Sequence, residues 1–199
     1  MIEVEIKVKI SDPNLMRKKF KENNGIYKLS LEHEDTYFNM PEGSRDFKQT
    51  DEALRLRKSV EFLKDNISKP QKINYYITYK GKKIDKTTKT REEIEIKISA
   101  IEDMKNLLKF LGFRDIFTVV KKRELYDFMF EGTRIEALID YIPILKQHFV
   151  EVELITESID NVEKSKEILF QFLAKFEIKK EESIRRSYLE LISDKLNGI

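Results

Sequence analysis

Glu3, Glu5, Lys7 and Lys9 occupy alternate positions in the first ten residues, with Val4, Ile6, Val8 and Ile10 between them. Two-residue spacing puts the charges on one face of a strand and the aliphatics on the other. The pattern recurs downstream. Arg55 and Arg57 alternate with Leu54 and Leu56, and Arg91, Glu93, Glu95 and Lys97 oppose Ile94, Ile96 and Ile98. Lys80, Lys121 and Arg123, Glu136 and Asp140, and Glu151 and Glu153 extend the set. Acids and bases mixed on one face suit phosphate chemistry. Arginine forks and lysine ammonium groups grip phosphate oxygens. Carboxylates hold the divalent cations that bridge phosphates and neutralise developing charge. Any one pair, such as Arg55 with Arg57, reads equally well as a solvated strand face. Five or six strands sharing the pattern point instead to a site for a polyphosphate with divalent metal.

The totals narrow the class. The chain has 199 residues, 40% hydrophobic and 37% charged, enough for one domain with a sizeable core. Its 38 basic and 36 acidic side chains leave a net charge of +2, which argues against a nucleic-acid binder. Cysteine is absent, so disulfides and thiolate metal sites are excluded. A metal would rest on carboxylates, with His33 and His148 as the only imidazoles. Such oxygen ligands suit magnesium, manganese or calcium better than structural zinc. The charged N-terminus is no signal peptide, and no apolar run reaches the length of a membrane span. A soluble, cytoplasmic protein is expected.

The elements that must carry these residues follow from periodicity. Asp12-Pro13 starts a helix, with Leu15, Met16 and Phe20 on one face and Asn24-Gly25 at its end. Strands are expected over 27–31, 35–39, 53–60, 73–80 and 91–98, with a turn over 41–44. Residues 64–72 and 82–90 read as loops, the second flexible, basic and able to cover a tunnel mouth. A helix over 101–111 presents Ile101, Met104, Leu107, Leu108 and Leu111. Strands over 117–124, 125–130 and 133–141 form an antiparallel run turning at Glu131-Gly132, and 149–155 is the last strand. Helices are expected over 159–176 and about 183–197, the second with Ile184, Tyr188, Leu191 and Ile192 as its apolar stripe. No repeat or boundary divides 1–199. The expected fold is a single α+β domain, an eight-stranded antiparallel β-barrel with a charged interior. Helices would cover its outward aliphatic faces. Dry, unpaired charges are costly, so the interior should be wet or hold an anion. Plain structural roles are expected for His33, His148, Tyr75, Tyr76, Tyr79 and the charged stretch 179–186.

In this order, the motifs resemble the CYTH superfamily, the triphosphate tunnel metalloenzymes. Glu3-x-Glu5-x-Lys7 looks like the signature E-x-E-x-K. Leu54-Arg55-Leu56-Arg57, Thr78-Tyr79-Lys80-Gly81, Arg91-x-Glu93-x-Glu95, Val119-x-Lys121-x-Arg123, Ile139-Asp140 and Phe149-x-Glu151-Val152-Glu153 follow, with Ser187-Tyr188-Leu189-Glu190-Leu191 near the end. Asp35-Thr36-Tyr37-Phe38-Asn39 and the stretch 45–55 are most similar to the archaeal branch labelled class IV adenylyl cyclase. One departure is Lys146 after Leu145, where the family often has glycine.

The resemblance implies a tunnel in which Glu3, Glu5, Glu151 and Glu153 hold Mg2+ or Mn2+, with Asp140 as a further ligand or neighbour. Lys7, Arg55, Arg57, Lys80, Arg91, Lys121 and Arg123 would grip phosphates. Glu93 and Glu95 would support the basic groups or a second metal. Glu5, as base, and Lys7 would be catalytic. The implied activity is a metal-dependent triphosphatase acting on inorganic triphosphate or a related organic triphosphate. An adenylyl cyclase making cyclic AMP and pyrophosphate from ATP is the alternative, and a non-catalytic polyphosphate or nucleotide sensor a third. A homodimer is compatible with this reading; a nucleic-acid or membrane partner is not expected.

Overall fold

A computed structural model describes residues 2–63 and 69–198. Of the loop expected over 64–72, residues 64–68 lie outside the described residues. The strands are β1 (Ile2–Ile10), β2 (Ile26–Asn39), β3 (Ala53–Phe62), β4 (Lys72–Lys80), β5 (Arg91–Ile98), β6 (Arg114–Phe130), β7 (Thr133–Ile142) and β8 (Gln147–Thr156). They close a barrel in the order β1-β5-β4-β3-β2-β6-β7-β8, every neighbouring pair antiparallel. The expected α+β barrel is therefore present. Its closure is uneven. β1 pairs with β8 from Ile2↔Thr156 to Ile10↔His148, but meets β5 only at Ile2↔Glu92 and Glu3↔Arg91.

Two strands are longer than expected. Residues 27–31 and 35–39 belong to one strand, β2, and 117–124 and 125–130 to one strand, β6. The alternation breaks at Glu32-His33-Glu34, which carries no apolar residue, yet β3 and β6 pair across it on both sides. The register shifts between Tyr27 and Leu29 and between Tyr37 and Phe38, where bulges bend the strand around the barrel. Glu131 and Gly132 both take left-handed backbone, φ 49° and 75°, which matches the turn to the twist of β6 and β7.

Packing outside the barrel fixes which residues face in. Val4, Ile6, Val8 and Ile10 join Val150, Val152, Leu154, Ile135, Ala137 and Ile139 in the main core. Helices α1 (Pro13–Glu22) and α4 (Val162–Ala174) supply Met16, Phe20, Leu169, Phe172 and Leu173 to it. Phe20, Tyr126, Phe128, Phe172 and Phe176 meet edge-on at centroid distances of 4.8–6.0 Å. Such pairs each contribute roughly 0.5–1.5 kcal/mol beyond burial. Because the aliphatics of β1, β7 and β8 are held here, Glu3, Glu5, Lys7, Asp140, Glu151 and Glu153 face the interior. Asp12 caps α1 by accepting from the Asn14 and Leu15 amides at 2.9 and 3.0 Å.

Helical cover is partial, contrary to expectation. The ten-residue α3 (Ile101–Phe110) seats Leu108 near Phe38 and Leu56 and is too short to reach further along β5. Ile94 and Ile96 remain about 60% exposed, and Leu15, Leu107 and Leu111 also face out. A helix begins with a 3-10 turn, Ile159–Asn161, before α4 and ends at Ala174 rather than 176. A four-residue helix, α2, spans Phe47–Thr50. The final helix, α5, is Tyr188–Leu196 and does not start at 183. Ser187 and Glu190 set its start through a reciprocal capping box. Ile184 precedes it in extended chain, its amide donating to the Lys7 carbonyl at 2.7 Å.

Candidate active site

The β1–β8 register sets Glu5 opposite Glu153 and Lys7 opposite Glu151. Carboxylate oxygens of Glu3, Glu5 and Glu153 lie within 4.8 Å of one another, a group that could hold a metal ion. Burial, then the neighbouring Glu151, pushes Glu5 up to about 8. Burial, then Glu3, raises Glu153 well above the usual range. Asp140 and Glu151 do not join this group. The Arg123 guanidinium binds both Asp140 oxygens at 2.7 and 2.6 Å and also donates to Glu151. Burial opposes ionisation of Glu151, but Lys89 and Arg123 hold it well below its ordinary value.

Lysines line the same half of the barrel. Lys7 is fully buried, donates to the Arg186 carbonyl, and lies 4.2 Å from the Tyr188 ring centre. Burial, then Lys89, pushes it down to about 7. Lys121 lies 3.9 Å from Asp140 and is pushed down to about 8 by burial, then by Arg123. Tyr188 lies on the expected apolar stripe, packed with Ile184, Leu191 and Ile192 against Val119, Ile142 and Phe149, and its polar tip also reaches the interior charges. Its hydroxyl donates to Asp140 at 2.9 Å, and Lys89 and Lys121 lie 5.7 and 5.6 Å from its ring. The chain around Tyr188 covers this end of the barrel, with Lys195 bonded to the Ile144 carbonyl and Lys83 to Glu190.

The opposite wall is a second ionic layer. Asp35 accepts a fork from Arg57 at 2.6 and 2.8 Å and lies 3.7 Å from Arg55. Arg55 donates to Thr78 at 2.9 Å and Glu95 at 3.1 Å, while its buried Nε has no partner. Lys80 pairs with Glu93. Arg91 is buried but turns to the Gly81 carbonyl at 3.2 Å. Glu136 is only partly enclosed and pairs with Arg134 at 3.3 Å. On this wall acids and bases pair across neighbouring strands, Asp35 with Arg57 and Lys80 with Glu93.

Asp35, His33 and Lys89 also face inward, though the sequence pattern does not mark them for the site. Asp35 and His33 share a face of β2 with Tyr37; odd-position parity was the available signal, hidden by polar neighbours on both sides. His33 is mid-strand and buried. Burial, then Arg57, lowers it well below its usual value, and its Nδ1 has no partner. Lys89 is the third. The irregular connection that carries it is hydrogen-bonded to the barrel: Lys89 N donates to the Glu5 carbonyl at 3.0 Å and Ile84 N to the Thr90 carbonyl at 2.9 Å. Thr88 and Thr90 are fully buried. No periodicity marks this irregular segment. His148 is half-buried against the Tyr141 ring, 4.7 Å between centroids.

Residues 1–188 match the CYTH domain family. This chain belongs to the CYTH family. A Methanocaldococcus jannaschii protein named as a candidate adenylate cyclase is 41% identical over 191 residues, covering 96% of this chain and 98% of that one. The solved structure of a Pyrococcus horikoshii protein superposes with a TM-score of 0.82 at 33% identity, covering 97% and 99% of the two chains. The structure of a Hippeastrum protein named as a candidate adenylyl cyclase, and described as revealing a dominant triphosphatase activity, shares the fold with a TM-score of 0.60 at 16% identity, over 97% and 96%. In this CYTH chain, Lys146 before β8 takes φ 52°, the left-handed backbone that favours glycine. The turn geometry is kept, with Lys146 N bonded to the Pro143 carbonyl at 3.0 Å. No helix among the described residues is long and apolar enough to cross a membrane.

Proposed function

We propose that this CYTH chain is a cytoplasmic, divalent-metal-dependent triphosphatase that releases phosphate from inorganic triphosphate. The observation that carries this reading is the convergence of Glu3, Glu5 and Glu153 beside Lys7, Lys121 and Arg123 inside one closed barrel. An all-oxygen, carboxylate-rich set fits Mg2+ or Mn2+. Such a cation would neutralise phosphate charge and favour attack by water in line with the leaving oxygen. The residues contribute the rest. Glu3, Glu5 and Glu153 are the ligand set, with Glu151 and Asp140 released from Arg123 as further candidates. Arg123, Lys121 and Lys7 face the phosphates on one wall; Arg55, Arg57 and Lys80 complete the opposite one, and Arg91 stands beside Glu3. Glu5, at the centre of this cluster, would also serve as the base that takes a proton from the attacking water. Lys7 then balances charge at the departing oxygen. Glu93 and Glu95 hold Lys80 and Arg55 in place.

A second reading, adenylyl cyclase, is favoured by the 41% identical M. jannaschii relative. It asks the same tunnel to take the triphosphate in a register that exposes the α-phosphorus to the ribose 3′-oxygen. The end closed around Tyr188 favours a bare phosphate chain over a nucleoside there. Purified protein given inorganic triphosphate and ATP in parallel, with Mg2+ or Mn2+, distinguishes the two. Orthophosphate chiefly from inorganic triphosphate is the expected result; cyclic AMP with matching pyrophosphate would establish the cyclase. The E3A/E5A double variant should lose about 100-fold or more in turnover, and a fully active one would remove the assignment.

A further inference from the structure

The connection between β4 and β5 delivers a built-in cation to the carboxylate cluster. The backbone of Lys89 is bonded to Glu5 itself, through the 3.0 Å amide-to-carbonyl contact. The segment behind it is braced by Asp85, which accepts from the Thr87 and Thr88 amides at 2.7 and 2.8 Å and from Lys166 at 2.9 Å. The side chain turns inward. Its ammonium donates to Glu5 and, at 3.0 Å, to Glu151. Glu5 is also one of the three carboxylates that converge with Glu3 and Glu153. One carboxylate therefore serves both an internal ammonium and the candidate metal position.

We propose that Lys89 is a positioning residue that competes with the divalent cation for Glu5. Its ammonium neutralises the cluster when no metal is bound, and metal binding requires it to leave. This rests on the reading of Glu3, Glu5 and Glu153 as metal ligands. The physics is that of charge competition. A fixed positive charge at hydrogen-bond distance from a ligand oxygen both blocks a coordination direction and repels a divalent ion across a low-dielectric interior. The displaced ammonium has a clear destination. Lys7, Lys89 and Lys121 all lie within 4.2–5.7 Å of the Tyr188 ring centre, so a small rotation keeps Lys89 among the cations that would face a polyphosphate. Lys89 thereby keeps empty carboxylates neutralised and sets metal affinity low in the unliganded protein.

Isothermal titration of Mn2+ into phosphate-free protein tests this directly. K89Q, which removes the charge and keeps much of the length, should bind Mn2+ at least about tenfold tighter than the parent protein. K89R, which keeps the charge, should bind as weakly as the parent. K89Q binding no tighter than the parent overturns the proposal. So does K89R tightening equally, because loosening of the segment, not loss of charge, would then be the cause. Failure of the underlying reading has a different signature: the E3Q/E5Q variant would bind Mn2+ as well as the parent does.

Discussion

His33 shows how one interior side chain makes the fold sensitive to acid. Its imidazole is neutral inside, held down by burial and by Arg57 and Lys121. In the unfolded chain it takes a proton near 6.5. Below that pH the unfolded state binds more protons than the folded one, so stability falls as pH falls. It is fully present above 6.5, and the slope reaches up to about 1.4 kcal/mol per pH unit below it. H33Q should flatten the dependence of denaturant-derived stability between pH 6.5 and 5. An unchanged slope would assign the sensitivity to other groups, among them His148, which is also lowered by burial. At this scale strand parity made Glu3, Glu5, Lys7, Arg123 and Glu151 readable from sequence as inward residues. It could not say that Glu151 and Asp140 would bind Arg123 rather than converge with Glu3, because that choice depends on the β6–β7 register, which sets Arg123 opposite Asp140, and on Arg123 reaching Glu151 two strands away.

The turn at the entrance to β8 is a device at the scale of one element. Lys146 carries a left-handed backbone that costs a residue with a Cβ roughly 1 kcal/mol relative to glycine. K146G should therefore stabilise the protein by roughly 0.5–1 kcal/mol, offset in part by extra freedom in the unfolded chain. Thermal denaturation checks it; a destabilised K146G would mean that the lysine side chain contributes more than the strain removes. Elements with strong end signals were placed well from sequence, such as α1 behind Asp12-Pro13. The connection 82–90 is the irregular segment expected, but its contacts through Asp85, Thr88, Thr90 and Lys166 leave no local period by which they could be read. The start of α5 was marked by Ser187 and Glu190, but the charged run before it obscured that cap.

Taken whole, the molecule is a barrel whose interior acids and bases pair across strands, so a polyanion must exchange partners as it enters. Binding to the folded state alone stabilises it, by about 2.7 kcal/mol at a concentration near 100 times Kd. Inorganic tripolyphosphate with Mg2+ should thus raise the melting temperature by roughly 5–10 °C for a chain of this size. Sodium chloride at equal ionic strength should not, and an equal rise with salt would reduce the effect to charge screening. The barrel itself was readable from the repeated two-residue period on strand after strand. Its incomplete helical cover, with Ile94 and Ile96 in solvent, was not, since periodicity reports that a face is apolar but not what lies against it. The short β1–β5 closure has a further bearing on how the protein is made. β1 leaves the ribosome first, yet its partners are β8 and the start of β5. At ordinary synthesis speeds it waits roughly 10–30 s for β8. Glu3 and Glu5 cannot meet Glu153 before then, and the apolar edge of β1 stays open to wrong pairings. A chain cut short before β8 should be an aggregation hazard for the cell, not a weaker version of the protein.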